Sequence, residues 1–211
     1  MNRKLKLAVL LSGGGRTLEN LVGEIRKGTL AAEIGVVVAS NPKVYGIERA
    51  KKLGLAVQVV DRKAYGDTKA FSQAIWEVVR KCGGGCGAEL VCLAGFLSLL
   101  EIAEDYKDKV INIHPAILPA FGGRGMYGHY VHEAVLAAGC KVSGCTVHFC
   151  NNEYDSGAIL VQRCCEVKED DTPESLAARV FEEECKAYPQ AIRLIAEGRV
   201  TVNERRAVIR D

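Results

Sequence analysis

The sequence lacks long apolar runs and an excess of charge of either sign. None of its hydrophobic stretches approaches the ~18–20 residues of a membrane-spanning helix. The first, at 5–11, contains Lys6, ends at glycines and lacks the features of a signal peptide. The 28 Lys and Arg residues nearly balance the 26 Asp and Glu residues, which leaves a formal charge of +2. We therefore expect neither a membrane nor a nucleic acid as partner, and any anion must be bound locally.

Internal repeats, low-complexity tracts and interdomain linkers are missing as well. The hydrophobic share of 48% and the charged share of 26% are close to globular averages. This composition excludes a disordered tail protein, a collagen-like repeat and a coiled coil. Because domains usually contain ~100–200 residues, the sequence favours one domain over 1–211, with a short polar tail after about residue 198.

The nine cysteines form neither a disulfide framework nor a zinc motif. Their number is odd and several lie inside apolar runs, which is typical of reduced thiols in a cytoplasmic protein. Cys82 and Cys86 lack a second pair at zinc-finger spacing, and His129 and His132 on one helix face lack a third ligand. We therefore expect no metal site.

Short apolar runs alternate with helical patterns along the first half of the chain. The runs at 7–11, 34–39, 56–60, 89–94 and 109–113 are interpreted as strands, and the patterns at about 18–25, 46–53 and 65–81 as helices. Such alternation predicts an α/β fold, Rossmann-like, with a mostly parallel twisted sheet covered by helices on both faces.

The second half begins with a glycine-rich segment at 120–128, which we expect to be a mobile loop. A short helix at 129–138 and two paired strands at 142–149 and 158–167 follow. Thr172 then has the position of an N-cap, with Pro173 in the first turn and Ser175 three residues on. The long helix that begins there is expected to run to about residue 197.

A glycine turn, SGGGRTL at 12–18, directly follows the first strand. Such a turn exposes backbone N–H groups to an anion, and the next helix adds its partial positive charge. A Walker A loop is excluded because Gly-Lys-Ser/Thr is missing, and a dinucleotide fingerprint because Leu18 replaces its third glycine. The pattern favours a single phosphate, with a plain tight turn as the alternative.

Asn112, His114 and Asp155 are candidate catalytic residues. Period-2 alternation places Asn112 and His114 on the same side of a strand near its carboxyl end, where ligands bind in parallel sheets. An amide beside an imidazole suits an oxyanion, and a carboxylate can orient the histidine or move protons. Taken singly, His114 is equally well a structural hydrogen-bonding residue, and Asp155 a turn-forming one.

Four segments in a fixed order carry a family resemblance: SGGGRTL at 12–18, LAGFLSLL at 93–100, INIHPAILP at 111–119 and TVHFCNNEYDSGAILVQ at 146–162. From about residue 5 to 198 the chain resembles the folate-dependent phosphoribosylglycinamide formyltransferases of purine biosynthesis. Its length, with no further domain, distinguishes it from methionyl-tRNA formyltransferases and formyltetrahydrofolate hydrolases.

The resemblance implies transfer of a formyl group from 10-formyltetrahydrofolate, as cosubstrate, to the amine of glycinamide ribonucleotide. In the implied mechanism Asn112 and a protonated His114 stabilise the oxyanion, while Asp155 keeps the imidazole charged and relays the proton of the amine through water. The implied partners are these small molecules, with no metal, no nucleic acid and no membrane, in a cytoplasmic monomer or homodimer.

The resemblance also assigns binding residues. The substrate phosphate is expected at Gly15, Arg16 and Thr17, and a further substrate contact at Glu184. The folate is expected in a cleft lined by the backbone from 149 to 155 and by Leu97, Ser98, Leu99, Val147, Phe149 and Asp155.

The chain also departs from the family. Gly14, Arg16 and Thr17 stand where many members have Asn, Ser and Asn, and Ser98 stands where many have Arg. The loop at 120–128 is longer than in short members, and we interpret it as a lid whose Arg124 approaches an anionic substrate. Formyl transfer to another amine, such as a nucleotide-linked amino sugar, is a second hypothesis, and a non-catalytic phosphate-binding domain is a third.

Overall fold

The computed structural model describes residues 3–82 and 84–210, which fall into two compact units divided between Ile111 and Asn112. That the chain is one domain stays a prediction. Among the described residues, no helix combines the length and the apolar character that crossing a bilayer requires.

The first unit alternates strands and helices in the predicted order. It contains β1 (Leu5–Leu11), α1 (Arg16–Arg26), β2 (Ala32–Ala39), α2 (Tyr45–Lys52), β3 (Val57–Val59), α3 (Thr68–Lys81) and β4 (Leu90–Leu93). Within it the strand order is β3-β2-β1-β4, and each described pairing is parallel. The last five residues of β1 are buried, as expected of a strand covered on both faces.

Helix α3 shows how the sequence pattern becomes packing in this unit. Phe71, Ile75 and Val79, at the spacing of one helix face, are fully buried. The helix begins at Thr68 rather than near residue 65, because the side chain of Asp67 accepts a hydrogen bond from the N–H of Ala70 and caps it. Two short 3-10 turns, Arg62–Ala64 and Glu104–Tyr106, complete the unit.

From Val110 onward the chain contains β5 (Val110–His114), α4 (His129–Ala137), β6 (Val142–Phe149), β7 (Ile159–Glu166), α5 (Pro173–Ala196), β8 (Val200–Asn203) and β9 (Arg206–Ile209). Strands β6 and β7 pair in antiparallel fashion, as the sequence predicts. Helix α5 packs on both of them, and α4 packs on α5. Among the described strand pairings, four are parallel and two are antiparallel, so the predicted α/β, mostly parallel fold is confirmed.

The segment after residue 198, which the sequence predicts to be a short polar tail, contains two strands. Strands β8 and β9 form an antiparallel hairpin, with Glu204 in a left-handed conformation at its turn, and β9 pairs in parallel with β7. Four-residue strands are too short to show a clear alternation of apolar and polar residues, and the charged residues of the turn interrupt the pattern between them.

All nine cysteines lie among the described residues, and none of them forms a disulfide. Cys82, Cys92 and Cys145 are buried, whereas Cys86 and Cys164 are exposed. Burial raises the pKa of the Cys145 thiol, and the neighbouring carboxylates of Glu184 and Glu183 raise it further. This thiol therefore behaves as a small buried apolar group.

The start of α5 is a capping box, since the side chain of Thr172 accepts from the N–H of Ser175 and the Ser175 hydroxyl accepts from the N–H of Thr172. We predict that Thr172→Ala lowers the free energy of unfolding by ~1 kcal/mol, measured by urea denaturation. Thr68→Ala is the matched control, because Asp67 rather than Thr68 caps α3. Equal effects of the two changes would contradict this account.

Candidate active site

The carboxylate of Asp155 lies in the turn between β6 and β7 and is almost buried, with 10% of its side chain exposed. Its backbone has a φ of 53°, a left-handed conformation that aspartate tolerates better than most residues. One oxygen, Oδ2, accepts a hydrogen bond of 2.9 Å from the N–H of Gly123. The other, Oδ1, faces three side chains from β5 and β6.

Two of those three are Asn112 and His114, on one side of β5 as the alternation predicts. The Nδ1 atom of His114 lies 3.6 Å from Oδ1 of Asp155, and the Nδ2 atom of Asn112 lies 3.5 Å from the same oxygen. The structure therefore brings the three candidate catalytic residues into one cluster, although 43 positions separate Asn112 from Asp155.

The third is His148 of β6, a buried residue that the sequence reasoning missed. Its Nε2 lies 3.2 Å from Nδ2 of Asn112 and 3.6 Å from Oδ1 of Asp155. Seven of the eight residues of β6 are buried, so alternation does not distinguish His148 from core residues. The only signal in the sequence was a histidine within a predicted strand.

Backbone carbonyls determine the proton positions on both rings, because a carbonyl oxygen only accepts hydrogen bonds. Nδ1 of His148 donates to the carbonyl of Phe149 at 2.9 Å, which leaves Nε2 of the neutral ring to accept from Asn112. Nε2 of His114 donates to the carbonyl of Phe121 at 2.8 Å. The neutral His114 ring therefore turns its unprotonated Nδ1 toward Asp155.

Burial dominates the protonation of His114. It lowers the pKa of the imidazole, and the opposing effects of Asp155 and of the bond to Phe121 do not restore it. The expectation that Asp155 keeps this imidazole charged is wrong for the free protein, since desolvation outweighs the attraction of the carboxylate. Burial would likewise raise the pKa of Asp155, but His148, His114 and the N–H of Gly123 together hold it below its usual range.

The glycine-rich loop at 120–128 is attached to this cluster at its beginning. Phe121, with a φ of 55°, supplies the carbonyl that binds His114, and Gly123 supplies the N–H that binds Asp155. A side chain at Gly122 would meet Leu118 Cδ2 at 2.5 Å and Asp155 Cβ at 3.2 Å, so a larger residue would displace these neighbours. The first residues of the expected mobile loop are thus hydrogen-bonded parts of the site.

The segment after His114 is held by Thr146 of β6. Its buried hydroxyl donates to the carbonyl of Ala116 at 2.7 Å and accepts from the N–H of Leu118 at 3.0 Å. Gln162 of β7 adds a bond to the carbonyl of Leu118. These bonds satisfy buried backbone groups and fix the carboxyl end of β5 relative to β6.

The two remaining histidines lie on α4. His129 is exposed and its ring lies tilted against that of Tyr130. His132 is buried and its Nδ1 has no hydrogen-bond partner. Burial lowers the pKa of His132, and the nearby His114 and His129 lower it further. Within residues 3–82 and 84–210, no group of three or more possible ligands is placed to hold a metal ion.

The other residues assigned in the second unit lie on β6 and α5. Val147 is buried, and Phe149 is buried with its N–H donating to the carbonyl of Ala158. Glu184 is half-buried on α5 and close enough to influence the Cys145 thiol of β6. A side chain at Gly157 would meet the Phe149 carbonyl at 1.8 Å, so glycine is needed for the turn that carries Asp155.

The three residues expected to contact the phosphate lie at the start of α1. Gly15 is the N-cap in a left-handed conformation, with a φ of 73°, and Arg16 is the first helical residue. Thr17 is buried and Arg16 is exposed. The helix thus begins two residues earlier than its apolar pattern indicates, and its first N–H groups border the glycine turn.

The folate residues assigned in the first unit follow β4. Leu97 is exposed, whereas Ser98 and Leu99 are half-buried. The N–H of Leu97 donates to Oγ of Ser12 at 2.9 Å, and Oγ of Ser12 lies 2.6 Å from Oγ of Ser40. The structure therefore joins the Leu97 segment to the first residue of the glycine turn.

We predict that His114 titrates below the usual histidine pKa of ~6.5 and that Asp155→Asn lowers its pKa further, because the change removes a charge that raises it. Since the unfolded chain binds this proton more tightly, stability should fall as the pH drops from ~6.5 toward the folded-state pKa. Titration of the histidine signals by NMR measures the pKa of His114 in the unchanged protein and in Asp155→Asn. Asp105→Asn, in a surface pair with Arg80, is the control, and a His114 midpoint above ~6.5 would contradict the prediction.

Comparison with known proteins places the chain in a family. The formyl transferase family matches residues 5–192. The trifunctional purine biosynthetic protein adenosine-3 of Gallus gallus is 41% identical over 203 residues, which cover 95% of this chain and 19% of that protein. The chain thus spans about a fifth of the length of that relative.

Relatives of more similar length give the same result. The chloroplastic phosphoribosylglycinamide formyltransferase of Arabidopsis thaliana is 38% identical over 205 residues, covering 96% of this chain and 69% of that protein. The crystal structure of glycinamide ribonucleotide transformylase 1 from Symbiobacterium toebii has a TM-score of 0.90 at 36% identity, covering 100% of this chain and 96% of that one. Because the family match extends over most of the chain and the Symbiobacterium protein shares its fold, this chain belongs to the formyl transferase family.

Proposed function

We propose that this protein transfers the formyl group of 10-formyltetrahydrofolate to the amine of glycinamide ribonucleotide, giving formylglycinamide ribonucleotide and tetrahydrofolate in de novo purine biosynthesis. The contact of Asn112 and His114 with the buried Asp155 is the observation that carries the proposal. An amide, an imidazole and a carboxylate at these distances provide the oxyanion donors and the proton acceptor that acyl transfer to an amine requires. The substrates are those that the relatives' names and the sequence resemblance imply.

Asn112 and His114 stabilise the charge that develops on the formyl oxygen when the amine adds to the formyl carbon. The Asn112 N–H near Asp155 lies at the 3.5 Å limit of a hydrogen bond, so its redirection costs little. The Nε2–H of His114 already donates to a carbonyl oxygen, that of Phe121. Exchange of this oxygen for the formyl oxygen supplies a second donor from a neutral imidazole.

Asp155 accepts the proton that the amine nitrogen loses, through a bridging water. Its lowered pKa keeps the carboxylate ionised at neutral pH, ready for this role. The leaving folate nitrogen takes up one proton when its bond to the formyl carbon breaks, so the complete reaction leaves Asp155 ionised again. His148 positions the amide of Asn112 beside this carboxylate.

The binding residues follow from the family resemblance. We assign the substrate phosphate to the turn at Gly15, Arg16 and Thr17 and a further substrate contact to Glu184. The folate is assigned to Leu97, Ser98, Leu99, Val147, Phe149 and Asp155. Serine at position 98 offers a hydroxyl where many members offer a guanidinium, so we expect a weaker contact with an anionic part of the folate.

The direct test is a formyl-transfer assay with purified protein, both substrates and absorbance detection of the deformylated folate. We expect acceptor-dependent turnover that falls ~10²–10³-fold in His114→Ala, because one oxyanion donor is lost. Asp155→Asn should abolish turnover while circular dichroism shows an intact fold. Asp105→Asn, a change of the same chemistry at the surface, should retain full activity.

Three outcomes would contradict the assignment. Turnover without acceptor would indicate a hydrolase, and folate binding without turnover would indicate a different acceptor amine. Full activity of Asp155→Asn would show that this carboxylate is not needed for catalysis and would favour a purely structural role for the turn.

The lid hypothesis for Arg124 has a separate test. The N–H of Gly123 fixes the backbone beside Arg124 to Asp155, and the Arg124 side chain is exposed. We predict that Arg124→Ala raises the KM for glycinamide ribonucleotide about tenfold with little change in kcat, since a charge-assisted contact is lost. Arg205→Ala, at the exposed turn of the β8–β9 hairpin, is the control. An unchanged KM in Arg124→Ala would exclude the role.

A further inference from the structure

Helix α2 holds two consecutive carbonyl groups of the glycine turn. The N–H of Gly46, in the first turn of α2, donates to the carbonyl oxygen of Gly13 at 3.1 Å. The Nε of Arg49, one turn further along, donates to the carbonyl oxygen of Gly14 at 2.9 Å. First-turn N–H groups have no partner inside their own helix, so the bond from Gly46 uses a donor that α2 leaves available.

These two bonds determine where the N–H groups of the turn point. A trans peptide is planar, and its N–H points opposite to its C=O. Because the carbonyls of Gly13 and Gly14 face α2, the N–H groups of Gly14 and Gly15, which belong to the same two peptide planes, face away from α2. Two adjacent N–H groups directed to one side form the concave donor pair that binds anions.

The approach of α2 to the turn requires the residues found there. A side chain at Gly46 would meet the Gly13 carbonyl at 2.6 Å and Leu11 Cδ1 at 2.8 Å, so only glycine allows the backbone contact. A side chain at Gly15 would meet Cα of Gly46 at 3.1 Å. The two segments are therefore in backbone contact at more than one point.

Arg49 is itself held in place by two further groups. Its Nη1 is paired with the carboxylate of Glu19 on α1, and its guanidinium lies 5.3 Å from the ring centre of Tyr45. The planar fork of an arginine can serve the Gly14 carbonyl and the Glu19 carboxylate together, which the single ammonium of a lysine cannot do in the same geometry. Arg49 thus links α1, α2 and the turn between β1 and α1.

We infer that Arg49 is a positioning residue for phosphate recognition: it fixes the Gly14 carbonyl toward α2 and so directs the N–H groups of Gly14 and Gly15 at the phosphate of the substrate. This inference rests on the proposed function for the choice of substrate. Arg49 acts through the backbone of the turn and not by contact with the phosphate, because its guanidinium is engaged by Gly14, Glu19 and Tyr45.

The first test measures anion binding without catalysis. In ¹⁵N-labelled protein, the amide signals of Gly14 and Gly15 should shift on titration with inorganic phosphate, and Arg49→Met should weaken the fitted affinity about tenfold. Arg49→Lys, which keeps one donor for the Gly14 carbonyl, should give an intermediate affinity. Arg80→Met removes a comparable surface arginine, paired with Asp105 in the same unit, and should bind phosphate as the unchanged protein does.

The second test uses turnover and separates phosphate recognition from general damage. Arg49→Met should raise the KM for glycinamide ribonucleotide about tenfold and leave kcat within twofold. With the glycinamide ribonucleoside, which lacks the phosphate, the variant and the unchanged protein should have the same KM. Without a phosphate, neither protein can make the contact that Arg49 positions.

The outcomes distinguish this inference from the proposed function. Unchanged phosphate affinity in Arg49→Met, or the absence of Gly14 and Gly15 shifts in the unchanged protein, would overturn the role of Arg49. An equal rise in KM for the ribonucleotide and the ribonucleoside would overturn the role of Arg49 as well. Arg49-dependent phosphate shifts in a protein without formyl-transfer activity would support the role of Arg49 and refute the reaction. If Arg49→Met does not fold, wild-type affinity in Arg49→Lys would overturn the inference.

Discussion

The buried carboxylate of Asp155 is the group on which the candidate active site depends. A charge removed from water is costly unless hydrogen bonds and opposite charges replace its hydration. Here the N–H of Gly123 serves one oxygen, and His114, His148 and Asn112 surround the other. The same carboxylate therefore holds the start of the 120–128 loop against β5 and β6.

Burial has a second consequence, since it makes His114 neutral while Asp155 stays charged. Desolvation lowers the pKa of the imidazole, and the adjacent carboxylate opposes this without overcoming it. A neutral ring whose Nε2–H already donates to the carbonyl of Phe121 is a donor without a formal charge. In the proposed reaction, the polarisation of the formyl oxygen would thus rely on directed hydrogen bonds in a region of low dielectric constant.

The glycine turn of the first unit is organised by a different principle. Helix α2 binds the carbonyls of Gly13 and Gly14, so the phosphate recognition that we infer there depends on backbone orientation. Under this proposal, the chain can differ from many family members at Gly14, Arg16 and Thr17 and still bind the phosphate through the backbone. The side chains at those positions change, whereas the contacts of Gly46 and Arg49 with the turn are independent of them.

The sequence by itself determined what local periodicity and short-range chemistry control. It predicted the alternating elements, the common side of Asn112 and His114, the N-cap position of Thr172 and the glycine turn before α1, because each depends on residues within a few positions. The sequence did not predict the β8–β9 hairpin, because four-residue strands are too short to show a clear alternation of apolar and polar residues.

Only the tertiary structure decided which distant residues meet and what protonation state they adopt. The distances from Asp155 to Asn112 and His148 follow from strand pairing and a turn, and no spacing in the sequence encodes them. The neutral state of His114 and the orientation of the Gly14 carbonyl likewise depend on burial and on contacts supplied by distant segments. Desolvation and backbone direction both depend on neighbours that are distant in the sequence, which is why the sequence alone left them undetermined.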